Sequence, residues 1–364
     1  MTAAAATATV STVRQRPVWA IPLIAVVLVV VYFFLLTFVL GLNPQTAEHA
    51  PQIAIQQVAN ALSIGAIYAL IALGYTMVYG ILRMINFAHG EIFMSGAFGG
   101  YFAAVFLKNI GWLNASPLLS IISIILVILA AMAVAVGVAV LVERIAYRPL
   151  RNAPRLVPLI SAIGASFFLQ YTVRGLFGPG IYAYPDVAVL DAPFPILALG
   201  LNWGDALVIV AAVLMMAGLY YIVMRTKLGK AMRAVSEDKD TAALMGINVD
   251  RMIVLTFGIG AAMAGAAGVL YALTFRQINY FSGFIPGLKA FTAAVLGGIG
   301  NVPGAMLGGL FLGLIEQVGP NLFLTGLGVP SPNQLKDVIA FTMLVLVLVF
   351  RPSGILGERV AKKA

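Results

Sequence analysis

Long apolar runs separated by short polar stretches set the pattern of this chain. About 20 apolar residues cross the hydrocarbon of a bilayer as a helix. Backbone groups in lipid must bond within their own segment, so runs of this length read as helices. The first run, 19–40, is too long for a signal-peptide core and lacks a convincing cleavage site, so it reads as a retained span. Further runs cover 58–80, 85–107, 118–142, 156–177, 204–224 and 252–275, and the last covers 335–350. The stretch 285–319 is different. Two apolar pieces flank Gly297-Gly298-Ile299-Gly300-Asn301-Val302-Pro303-Gly304, and each, at about 14–16 residues, is short for a full crossing. A re-entrant pair or a broken helix fits better than one straight span. The expected fold is all-α, a polytopic transmembrane helical bundle of 8–10 membrane segments, depending on how 285–319 is counted. A polar tail 1–18, one membrane domain 19–355 with a cytoplasmic loop 225–251, and a basic tail 356–364 complete the expected organisation.

Basic residues orient the chain. With the N-terminus in the cytoplasm and each run crossing once, only Lys108, Arg174, Arg276, Lys289 and Lys336 fall away from the cytoplasmic side, leaving 17 of the 22 Lys and Arg there. The loops 41–57 and 178–203 hold no Lys or Arg and would face outward. Both termini are then cytoplasmic. This distribution explains the net charge of +9 as membrane topology and removes the reason to invoke nucleic acid. Composition agrees: 62% of residues are hydrophobic and 10% charged, against about 25% charged in soluble domains. The absence of cysteine excludes disulfides, thiolate metal sites and a cysteine nucleophile. Two histidines, His49 and His89, are too few for a multi-histidine metal site. No cofactor is expected.

Small residues recur at four-residue spacing, as at Gly96 and Gly100, Ala261 and Gly265, Gly304 and Gly308, and Gly309 and Gly313. Such spacing lets helices approach closely in lipid, either as general packing or as a subunit interface or moving joint. Residues 65–104 and 265–313 are loosely alike, a faint sign of the internal repeats found in transporters.

The cytoplasmic stretch 225–251 reads RTKLGKAMRAVSEDKDTAALMGINVDR and holds 10 charged residues. Helix formers alternate with an apolar set, Ala234, Val235, Ala242, Leu244 and Met245, and Gly246 and Asn248 would end a helix. A short amphipathic helix between two spans is expected. It fits either a plain connection or a segment that docks into a groove on another protein.

Asn86, His89 and Glu91 are polar groups inside an apolar run, and such groups are costly in a membrane. Asn86 and His89 share a helix face at a separation of three, whereas Glu91 joins them only if Gly90 breaks the helix. Two readings stay open: a structural hydrogen-bond network or cap, and a lining or gate of a pathway. Gly297, Gly298 and Asn301 belong either to a re-entrant turn lining that pathway or to a plain loop. Arg174 and Arg276, near the outer face, fit ordinary interfacial snorkelling or contact with a carboxylate. No catalytic residue is nominated. The chain has no phosphate loop, since Gly229-Lys230 lacks a Gly five positions earlier, and no His-Glu-x-x-His or Gly-x-Ser-x-Gly motif.

Three stretches carry a family resemblance. Glu237-Asp238-Lys239-Asp240-Thr241-Ala242-Ala243-Leu244-Met245-Gly246 resembles the coupling loop of ABC-importer permeases, with Glu237 separated from Ala242-Ala243 as in the branched-chain amino acid branch. Gly65–Gly80 leading into Met84-Ile85-Asn86-Phe87-Ala88-His89-Gly90-Glu91, and Ala293–Ala305, resemble the LivH-type permeases of that branch. The likeness covers roughly 56–355 and leaves out the N-terminal 55 residues.

The resemblance implies an inner-membrane transport subunit that is not itself an enzyme. Its implied partners are a second homologous permease, two cytoplasmic ATPases and an extracytoplasmic solute-binding protein. It implies coupling to the ATPases through Glu237, Asp238, Ala242, Ala243 and Gly246, alternating access as the mechanism, and leucine, isoleucine or valine as cargo. Urea or short amides are an alternative cargo within the same family. An ion-coupled secondary transporter, with Glu91 and Glu316 as its acidic candidates, is the alternative from another class.

Overall fold

The computed structural model describes residues 20–41, 50–151, 153–154, 156–194, 202–324, 332–351 and 353–357. The tails expected at 1–18 and beyond 357 lie outside the described residues.

The apolar runs fold as helices in chain order. They are α1 (Ala20–Gly41), α2 (Ala50–Leu82), α3 (His89–Asn109), α4 (Pro117–Val142) and α5 (Leu156–Phe177), then the single turn α6 (Ala188–Asp191) and α7 (Trp203–Arg225). Two short helices follow, α8 (Lys227–Glu237) and α9 (Lys239–Leu244). The last four are α10 (Val249–Phe275), α11 (Phe284–Gly297), α12 (Val302–Leu324) and α13 (Lys336–Phe350). Among the described residues eight helices are long and apolar enough to cross a membrane, and the apolar parts of α1 and α11 add two shorter ones. The chain is a polytopic helical membrane protein.

Four boundaries depart from the sequence reading. The loop expected at 41–57 is shortened because α2 begins at Ala50. The run expected at 85–107 is helical only from His89, and 83–88 form a non-helical link. The pair at 285–319 is unequal. α11 has 14 residues, a length of about 21 Å at 1.5 Å per residue, too short to cross. α12 has 23 residues and is a full span, because Pro303 sits in its first turn, where a proline is tolerated. Finally, the one amphipathic helix expected in 225–251 is two helices broken at Asp238.

The core is built from α2, α10 and α12. Tight interlocking of small residues lets these helices touch backbone to backbone. A Cβ on Gly313 would lie 2.4 Å from Gly65 Cα, and one on Gly260 would lie 3.1 Å from Gly74 Cα. α4, α5, α7 and α13 lie outside this core and expose apolar side chains such as Leu129, Phe168, Leu214 and Val349.

An internal inverted repeat organises the bundle. Arg83-Met84-Ile85-Asn86-Phe87-Ala88-His89-Gly90 and Arg276-Gln277-Ile278-Asn279-Tyr280-Phe281-Ser282-Gly283 share the pattern Arg-x-Ile-Asn-aromatic-x-x-Gly. Both arginines end a helix, and among the described residues they are the two non-glycine positions with positive φ, 54° and 57°. Packing follows the same correspondence: α2 on α12 matches α10 on α4, α3 on α10 matches α11 on α2, and α3 on α5 matches α11 on α13. Each repeat therefore holds a helix, a non-helical link that turns back into the bundle, and a helix that starts inside it. The two Arg-to-Gly links set a correspondence of 65–104 with 258–297, which differs from the 265–313 read from sequence.

At one end of the bundle β1 (Tyr182–Ala183) pairs antiparallel with β2 (Gln277–Ile278). Arg276 there pairs with Asp186 at 2.7 Å and also with Asp191. This is the clamp end. The opposite, basic end carries 143–151, 225–251 and 353–357.

Candidate functional site

The two turned-back links meet at the centre of the molecule. Gly90 and Gly283 abut there: a Cβ on Gly283 would lie 2.3 Å from the Gly90 carbonyl oxygen, and one on Gly90 would lie 2.6 Å from that of Gly283. Only a residue without a side chain fits either position. The first turns of α3 and α11 thus face each other inside the bundle.

Asn86, His89 and Glu91 all lie around this junction and are all buried, at 2%, 1% and 1% exposure. They make separate contacts. Tyr147 donates its hydroxyl to Asn86 Oδ1 at 2.8 Å. Tyr147 comes from a wide helical turn, Glu143–Tyr147, that continues α4 and carries its ring inward. His89 packs edge-on against Tyr75, 4.7 Å between ring centroids. Its Nε2 fills the space that a side chain on Gly74 would need, 2.1 Å from an ideal Cβ there. Gly74 lies eight residues before the end of α2, about 12 Å inside the basic end. Glu91 reaches Ser166 of α5 over a long 3.5 Å contact. Its Oε2 is buried with no hydrogen-bond partner among the described residues. The helix begins at His89 rather than breaking at Gly90, and no hydrogen bond or ion pair among the described residues joins the three side chains.

Gly297, Gly298 and Asn301 lie together at the basic end, where α11 turns into α12. Gly297 meets Gly304, with a Cβ on Gly297 only 2.0 Å from the Gly304 carbonyl oxygen. Asn301 holds the turn by accepting from Gly304 N–H at 3.1 Å and donating to the Leu356 carbonyl at 2.9 Å. Ile355 and Leu356 donate their N–H groups to the carbonyls of Leu296 and Gly297, at 2.8 and 3.0 Å. The turn is thereby latched to the segment after α13.

The α8–α9 elbow projects from the same end. Thr226 caps α8 by accepting from Gly229 N–H at 3.1 Å. Asp238 breaks the helix in extended backbone and caps α9, accepting from the amides of Asp240 and Thr241 and from the Thr241 hydroxyl at 2.7 Å. Those bonds, led by the one from the Thr241 hydroxyl, hold the Asp238 carboxyl below its ordinary value. Gly246 follows at φ 82° and turns the chain. Asn248, expected to help end the helix, instead caps the start of α10 by accepting from Arg251 N–H at 2.9 Å.

The elbow has two faces. Val235 and Ala242 are buried against the spans, while Leu244 and Met245 are 88% and 79% exposed. Glu237, Asp238 and Ala243 lie on the exposed side. The apolar set read from sequence is therefore split between the bundle and a bare tip.

Other charged groups find their partners in the fold. Arg174 lies over the Tyr280 ring at 5.3 Å, and Arg276 is taken by Asp186 and Asp191. At the basic end Arg148 and Arg151 pair with Asp250, and Arg151 also pairs with buried Glu143. Lys289, Glu316, Lys336 and Asp337 form a cluster within the membrane-spanning part. Their signal in the sequence was plain, a charge within or at the edge of an otherwise apolar run, but partner identity needs the fold.

An all-helical bundle with two inward-turned links and a charged elbow at one end describes a membrane permease. Residues 57–348 match the family model described as branched-chain amino acid transport system / permease component. Over 312 residues the chain is 45% identical to BraD of Pseudomonas aeruginosa, a high-affinity branched-chain amino acid transport system permease protein, covering 85% of this chain and 97% of that relative. It is 42% identical over 318 residues to LivH of Escherichia coli, of the same description, with the same two coverages of 85% and 97%. A solved metal-chelate type ABC transporter in an inward-facing conformation aligns with a TM-score of 0.48 at 18% identity, over 92% of this chain and 100% of that one. The chain belongs to the family of permease components of branched-chain amino acid transport systems.

Proposed function

We propose that this chain is the membrane-spanning subunit of an ATP-driven importer for leucine, isoleucine and valine. A second homologous permease, two cytoplasmic ATPases and an extracytoplasmic binding protein complete the complex. The basic end is cytoplasmic in this reading, in line with the positive-inside rule, and the clamp end meets the binding protein.

One observation carries the coupling assignment: Leu244 and Met245 stand bare at the tip of a charged elbow whose other face is packed into the bundle. Exposed apolar pairs on a charged, water-facing element mark a docking surface. ATP binding draws the two ATPases together, the seated elbow follows, and the spans it packs against change from one arrangement to the other. Glu237, Asp238, Ala242, Ala243 and Gly246 shape and hold this elbow. Asn86, His89 and Glu91 act at the junction where the two repeats meet, the natural joint for such a change, while Gly297, Gly298 and Asn301 anchor its basic end. The chain itself carries no phosphate loop, so the hydrolysis belongs to its partners.

The test is uptake of labelled leucine and labelled urea by the complex reconstituted in vesicles. Leucine uptake that depends on ATP and on the binding protein supports the reading. Urea uptake in its place moves the cargo to the short-amide alternative.

A further inference from the structure

Lys289 of α11 lies at the centre of a four-charge cluster. Its Nζ stands 2.9 Å from Glu316 Oε1 of α12 and 2.7 Å from Asp337 Oδ1 of α13. The Tyr68 ring of α2 lies beneath it, 5.9 Å from centroid to Nζ. Lys336 stands 3.8 Å from Glu316 Oε1, beyond hydrogen-bonding distance. The cluster is graded from closed to open: the Lys289 and Glu316 side chains are 5% and 2% exposed, and those of Lys336 and Asp337 are 41% and 45% exposed.

The cluster runs from the bundle interior out to the start of α13. Glu316 lies eight residues before the end of α12, about 12 Å inside it at 1.5 Å per residue, whereas Lys336 and Asp337 open the first turn of α13. Buried charges such as Lys289 and Glu316 face a water-filled cavity or the bundle interior, not hydrocarbon. The helix geometry agrees. Lys336 and Asp337 precede buried Ala340 by four and three residues and so share its face. Val345 and Val349, both more than half exposed, lie on the opposite, lipid-type face.

Lys289 serves two carboxylates, Lys336 is only loosely held, and Glu316 Oε2 has no hydrogen-bond partner among the described residues. The half-open mouth presents one cation and one anion side by side. A zwitterionic amino acid carries the same two charges on adjacent atoms.

We infer that the Lys289–Glu316–Asp337–Lys336 cluster lines the transport pathway and receives the charged head of the cargo amino acid, Asp337 taking the ammonium and Lys336 the carboxylate. Lys289 and Glu316 are positioning residues that hold Asp337 in place. This rests on the reading of the cargo as an amino acid.

This chain has no cysteine, so in a complex whose partner subunits are made cysteine-free a single introduced thiol reports on one position. Lys336→Cys, Asp337→Cys and, on the lipid-type face, Val345→Cys are placed in the reconstituted complex. A charged, membrane-impermeant methanethiosulfonate is added from the binding-protein side. Labelling at 336 and 337 is expected to be at least about tenfold faster than at 345, and to slow during leucine turnover. Lys336→Gln and Asp337→Asn are each expected to raise the half-saturating leucine concentration for uptake by about tenfold, the loss of one charge-assisted hydrogen bond. Lys336→Cys and Lys336→Gln, altering the loosely held member, keep the assay readable if the Asp337 variants fail to assemble. Labelling no faster than at 345, or fast labelling indifferent to leucine, overturns the inference. A wild-type complex that carries no leucine overturns the cargo reading instead, and the thiol rates then still report whether the cluster lines a pathway.

Discussion

Gly90 and Gly283 touch backbone to backbone where the two halves of the bundle meet: a Cβ on the second would sit 2.3 Å from the carbonyl oxygen of the first. Neither backbone can give way like a flexible side chain. Gly90→Ala and Gly283→Ala are each expected to destabilise the fold by about 1–3 kcal/mol, the usual cost of overpacking. Gly137 of α4 has nothing within 4 Å of its would-be Cβ. Gly137→Ala should be neutral or stabilise by up to about 1 kcal/mol through helix propensity. Thermal unfolding of the three variants in detergent checks the contrast, and equal effects at all three would contradict the junction as described.

Asn86 and Tyr147 join the first link to the far end of α4. Removing the amide in Asn86→Ala leaves a buried hydroxyl unpaired, at a cost of about 1–3 kcal/mol. Tyr147→Phe removes the hydroxyl as well, so the double variant should be less destabilised than the sum of the two single ones. Unfolding measurements on the full cycle give the coupling, and strict additivity would mean that the bond contributes nothing.

Leu244 and Met245 touch little of their own chain. Leu244→Ser with Met245→Ser should leave the unfolding transition nearly unchanged, within about 0.5 kcal/mol, as for other surface changes. Leucine uptake should nonetheless fall by about tenfold or more, because buried apolar anchors dominate the energy of a protein interface. Purified complex on a sizing column, with and without the substitutions, shows whether the ATPases stay bound.

Asp238 gives the elbow a pH dependence of known sign. Its carboxyl is held below the ordinary aspartate value of 3.8. A depressed carboxylate contributes stability that is fully present above the unfolded value and is lost as pH falls through the folded one. Hydrogen-exchange protection in α9 should therefore be flat from neutral pH down to about 4 and weaken only in stronger acid. Asp238→Ala should show weak protection at every pH.

Much of this was legible in the sequence because hydrophobic length is a strong signal. The runs at 118–142, 156–177 and 204–224 became α4, α5 and α7 within a residue at each end, since lipid allows a long apolar run little besides a helix. The Gly-rich stretch after Gly297 did mark a broken pair.

The failures have a common cause. Met84-Ile85-Asn86-Phe87-Ala88 is apolar enough to pass for helix, and only the positive φ of Arg83 shows that the helix stops before it. The same holds after Arg276, so the Arg-x-Ile-Asn repeat was visible as letters but not as structure. Asn86, His89 and Glu91 were found as costly polar groups, yet their separate partners, Tyr147, Tyr75 and Ser166, come from distant segments. Lys289 and Lys336 stood out as exceptions to the charge bias, and Glu316 as an acidic residue in an apolar run. Their meeting depends on how α11, α12 and α13 pack, which spacing along one helix does not encode.

In this reading the α8–α9 elbow draws its force from a nucleotide-driven partner. Its most direct test is labelled-leucine uptake into vesicles holding the purified complex, with ATP inside or withheld and with an imposed proton or sodium gradient. Uptake is expected to follow ATP, ignore the gradients, and disappear when the ATPase subunits are left out. Uptake by this chain alone, driven by a gradient and indifferent to nucleotide, would contradict that coupling.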